Sequence, residues 1–71
     1  MPNSLIHEAN LADYDLAYQL IIDMHKELSD EESQLANAKL ILTLANHIGD
    51  INVLREATRI TRQNTIEWRS E

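Results

Sequence analysis

The stretch from Leu28 to Asp50, LSDEESQLANAKLILTLANHIGD, constrains the fold more than any other, because it carries both the start and the stop of one helix. Ser29 is a good N-cap, and Glu32 stands three residues on, the spacing of a capping box. Asp30, Glu31 and Glu32 put negative charge at the positive end of the helix dipole. The pattern predicts helix to about Ile48. Gly49, the only glycine of the chain, suits the left-handed conformation that closes a helix. Asp50 is then placed to cap the helix that follows.

At 100° per residue, Leu35, Ala38, Leu40, Ile41, Leu42, Leu44, Ala45 and Ile48 cover an arc of roughly 220°. A helix on the outside of a globule needs only about 100°. The middle helix is therefore expected to be the most buried, with neighbours on two sides. Lys39, Thr43, Asn46 and His47 take the narrow polar face. Gln34 and Asn37 project from within the apolar arc. The plainer reading puts Gln34 near the frayed first turn and has Asn37 hydrogen-bond a backbone carbonyl or its symmetry mate; the sharper one is a buried polar contact that fixes helix register or oligomer state.

Two further helices follow from the same periodicity. Leu16, Ala17, Leu20, Ile21, Met24 and Leu28 form an apolar stripe behind Asp13, a candidate N-cap. Ile51, Val53, Leu54, Ala57 and Ile60 form another after Asp50. The expected fold is a small all-α, three-helix domain with helices near 14–28, 30–48 and 51–65 and short turns between them, which favours antiparallel packing. Residues 1–12 are expected to be an N-terminal arm, 13–66 the domain and 67–71 a C-terminal tail.

A chain of 71 residues without cysteine can use neither disulfides nor thiolate metal sites to support a small core. Oligomerisation, or docking on a larger protein, is what remains. A homodimer is the favoured expectation, with a larger protein partner as the other. No run approaches a membrane span, and the N-terminus lacks a basic region followed by an apolar stretch, so a cytoplasmic location is expected. The net charge of −6 argues against a general nucleic-acid binder. Charge is uneven: residues 1–32 hold eight acids and one lysine, whereas 55–71 hold four arginines and three glutamates.

Catalysis finds little support. There is no nucleophile elbow around any serine. His7, His25 and His47 show no metal-binding spacing. The carboxylates cluster at caps and solvated faces. No catalytic residue, metal site or cofactor is expected, and the chain is read as a non-enzyme. Tyr18, Ile22 and His25 extend the first stripe sideways and, with Trp68, form a candidate partner interface; their plainer reading is rim packing. Trp68 either folds back on the core or anchors a partner. The run Ala45–Gly49 before an arginine-bearing helix has part of the helix-turn-helix spacing, with Arg55, Arg59 and Arg62 as candidate anion or nucleic-acid contacts. The acidic first helix would repel DNA, so a DNA-binding regulator is the alternative and an ordinary helical corner the preferred reading.

Three motifs carry a resemblance: L-S-x-E-E-S at Leu28–Ser33, L-A-N-H-I-G-D at Leu44–Asp50 and V-L-R-E-A at Val53–Ala57. Over about residues 28–57 the chain resembles a bacterial family of short helical proteins, domain of unknown function 2783. The family transfers no catalytic residue. Its members resemble companions of flavin-dependent hydroxylases and other aromatic-degradation enzymes, which implies an accessory role in an oxidoreductase pathway. Asn46 and His47, in the most specific of the three motifs, are candidate contacts, serving either a partner or the Gly49 corner. The function expected is thus a protein–protein interaction or accessory module.

Overall fold

The computed structural model describes residues 4–69. Three α-helices follow in order, α1 Tyr14–Met24, α2 Asp30–Ile48 and α3 Ile51–Arg69, and no strand occurs among the described residues. The first three residues of the expected arm and the last two of the expected tail lie outside them.

Each helix starts where a side chain satisfies its free backbone donors. The Asp13 carboxylate accepts from the Leu16 N–H at 2.9 Å. Ser29 and Glu32 form the reciprocal box: Ser29 Oγ accepts from the Glu32 N–H at 3.1 Å, and Glu32 Oε1 accepts from the Ser29 N–H at 2.9 Å. Asp50 Oδ1 accepts from the Asn52 and Val53 N–H groups. At the end of α2, Gly49 adopts φ 65°, ψ 14°, and its N–H donates to the Ala45 carbonyl.

Two boundaries differ from expectation. Helix α1 ends at Met24, four residues before Leu28. His25, in right-handed geometry at φ −88°, ψ −6°, caps α1; the chain then turns through residues 25–27, where Glu27 takes φ 63°. No glycine or asparagine announces it. Helix α3 runs through Thr65 and on to Arg69, so the expected tail begins inside a helix. Gln63 donates to Glu67 one turn on, and Arg69 sits in the last turn, where the dipole favours a cation.

The larger correction concerns packing. No described residue is buried within one chain, in α2 or elsewhere. Ile41 is 65% exposed and Leu42 70%. The helices approach one another only sparsely, without the side-by-side contact of an antiparallel hairpin. The radius of gyration is 14.3 Å, against about 11 Å for a compact chain of this length. The wide apolar arc of α2 does call for neighbours, but one copy of this chain does not supply them. Helix α1, at eleven residues, is too short to cover it.

Candidate docking surface

Between α2 and α3 lies an open groove of about 450 Å³. Helix α2 supplies Ile41, Leu44, Ala45 and Ile48 to it, and α3 supplies Leu54, Ala57, Thr58 and Thr61. The floor is thus apolar, and no α1 residue lines it. Of the two hydroxyls, that of Thr58 is turned back to its own helix, donating to the Leu54 and Arg55 carbonyls. Arg62 closes one rim and also borders a shallower hollow of about 370 Å³ with Arg59, Gln63, Ile66 and Glu67. An apolar floor with an arginine rim has the composition of a protein interface.

The groove is held open by the Gly49–Asp50 corner. A Cβ on Gly49 would meet only the Asn46 carbonyl oxygen, at 3.6 Å; the demand on glycine is torsional rather than steric. Asn46 and His47 lie at this corner, both exposed, with His47 in the last turn of α2.

At the other end of α2 a polar contact joins it to α1. His25 Nδ1 donates to the Ile21 carbonyl at 2.7 Å, and His25 Nε2 lies 2.9 Å from Asn37 Oδ1. An asparagine amide turned by 180° offers its N–H₂ instead, so the pair can form with either a neutral or a protonated ring. Asn37 therefore joins two helices within the chain, and His25 is half-buried in that corner. Tyr18 and Ile22 remain in solvent on α1, at 68% and 40% exposure. Trp68 is 76% exposed near the end of α3. The structure does not gather Tyr18, Ile22, His25 and Trp68 around one cavity. Arg55, Arg59 and Arg62 are all exposed along α3 and make no ion pair among the described residues.

One functional feature escapes sequence reasoning. The carboxylate of Glu56 on α3 ties down the arm: Oε1 accepts from the Leu5 N–H at 3.2 Å, and Oε2 lies 3.1 Å from His7 Nε2. These bonds, the Leu5 N–H first and His7 second, hold the Glu56 carboxyl below its ordinary pKa of 4.5. Residues so far apart in the chain carry no mutual signal in one sequence. Among the described residues, no group of three or more His, Asp or Glu side chains could hold a metal ion, and no helix is long and apolar enough to cross a membrane.

The family described as protein of unknown function, DUF2783, matches residues 5–63. The match begins at Leu5, the residue whose N–H binds Glu56, and so takes in the arm and α1, well beyond the 28–57 core of the resemblance. No curated protein and no solved structure matches the chain.

Proposed function

The chain belongs to the DUF2783 family of proteins of unknown function, and we propose that it acts as a non-enzymatic protein–protein interaction or accessory module of the bacterial cytoplasm. One observation carries this reading: every large apolar side chain on its helices retains solvent exposure in the isolated chain. Exposed apolar patches of this extent mark interaction sites in soluble proteins. The partner is a second copy or a larger protein. Flavin-dependent hydroxylases and related oxidoreductases are the first larger partners to test, as the companions that the family resemblance implies. Isolation of the tagged chain from its native cell should return protein in stoichiometric amount, and backbone amides of residues 41–62 should gain hydrogen-exchange protection in that complex. Recovery of nucleic acid without protein would overturn the proposal.

A second reading rests on the arginine row. Arg55, Arg59 and Arg62 are exposed and form no close ion pair among the described residues, although the Arg59 charge does act on Glu56; exposed arginines of this kind can serve as phosphate contacts on a DNA-binding helix. Such binding should weaken steeply with added salt. The net charge of −6 places this second.

A further inference from the structure

We propose that the groove between α2 and α3 receives helix α1 of a second copy of this chain, and that the exchange is reciprocal about a two-fold axis. The proposal rests on the interaction reading above and names the occupant of that surface.

The chain exposes both halves of the contact. Leu16, Leu20 and Ile21 form the apolar stripe of α1, and Leu20 is 62% exposed. The groove is the matching hollow, and its own α1 does not enter it. The His25–Asn37 contact holds the end of α1 beside the N-terminal half of α2, whereas the groove begins at Ile41. The dimensions agree. An eleven-residue helix is about 16 Å long. The groove runs from Ile41 to Ile48 on one wall and from Leu54 to Arg62 on the other, two turns or slightly more on each side.

Charge agrees as well. Helix α1 and its cap bring Asp13 and Asp15, with no lysine or arginine from Tyr14 to Met24; Asp23, further along, is paired with Lys26 of its own chain. The flank of α3 offers Arg55, Arg59 and Arg62. The area closes the argument. The accessible surface is 6634 Å², roughly 2,000 Å² more than a compact monomer of this mass exposes. That excess is what each partner buries in an obligate homodimer, whose interfaces total about 2,000–5,000 Å². A different protein would have to present both a helix for the groove and a groove for the helix. A second copy presents both by symmetry.

The absence of cysteine leaves photo-crosslinking as the cleaner probe. The unmodified chain is first weighed in solution by light scattering at micromolar concentration, where twice 8.2 kDa is expected. A photo-reactive benzoylphenylalanine then replaces Leu20, and the chain is mixed with isotope-labelled wild type. Crosslinks from the light to the heavy chain should fall within residues 41–62. Arg59→Glu combined with Arg62→Glu should weaken association by about tenfold or more; unchanged affinity would overturn the electrostatic part. A dimer crosslinked outside 41–62 would overturn the docking mode. A folded 8.2 kDa monomer that binds anilinonaphthalene sulfonate would overturn the second copy and leave the apolar docking surface standing for another protein. A folded monomer that binds no dye would overturn both.

Discussion

Gly49 and Glu27 share a backbone conformation but not its cost. Both sit in the left-handed region, at φ 65° and φ 63°; Gly49 closes α2, whereas Glu27 lies in the turn that follows α1. Glycine enters that region freely, whereas a residue with a Cβ is disfavoured there by about 1–2 kcal/mol. Gly49→Ala should therefore lower stability by about 1 kcal/mol or more. Since the new Cβ would meet nothing closer than 3.6 Å, the loss should be torsional and equally present for Gly49→Ser. Glu27→Gly should act oppositely, raising stability by up to about 1 kcal/mol as the strain is relieved, less the added freedom of the unfolded chain. Denaturant melts decide both, and a destabilised Glu27→Gly would mean that the Glu27 side chain holds the corner in a way its exposure does not suggest.

The junctions between elements have their own chemistry. If His25 and Asn37 set the angle between α1 and α2, their effects should not add. A double-mutant cycle with His25→Ala and Asn37→Ala should return a coupling of about 1 kcal/mol, and a value near zero would show that the corner is set by the Glu27 turn alone. The two carboxylates at element ends predict the response to acid. Glu32 is held below its ordinary pKa by the Ser29 N–H first and the Ser29 hydroxyl second. Glu56 is held below its own by Leu5 and His7. A depressed folded pKa means that the contribution is complete above the unfolded value of 4.5 and is lost as pH falls through the folded value. Stability should thus be level near neutrality and decline below about pH 4.5. Glu32→Gln, which keeps the capping geometry but does not titrate, should remove part of that decline. Circular dichroism melts between pH 3 and pH 7 test it.

At the scale of the molecule, no described residue is buried; the proposed association would then supply much of the stability, and the melting temperature should depend on concentration. For a dimer, each tenfold dilution should lower Tm by roughly 5 °C. A Tm independent of concentration over two decades would show that the single chain is sufficient. The sequence by itself determined the helices and most of their ends, because caps act through neighbours three or four residues away. Asp13, Ser29 with Glu32, Gly49 and Asp50 are all legible in that way, and so is the all-α class. The end of α1 was not, because neither the His25 cap nor the Glu27 turn after it carries a glycine or asparagine signal. Neither was the run of α3 past Thr65, where the apolar pattern weakens while the backbone ladder continues. Periodicity also marked Ile41, Leu44, Leu54 and Ala57 as surfaces to be covered. It could not say by what, since hydrophobic burial is non-directional and a stripe reads the same whether its cover lies in its own chain or in another. The tertiary structure decided one part of that: with the Glu27 turn and the His25–Asn37 contact at its end, α1 lines no part of the groove, and the apolar face of α2 stays open in the single chain.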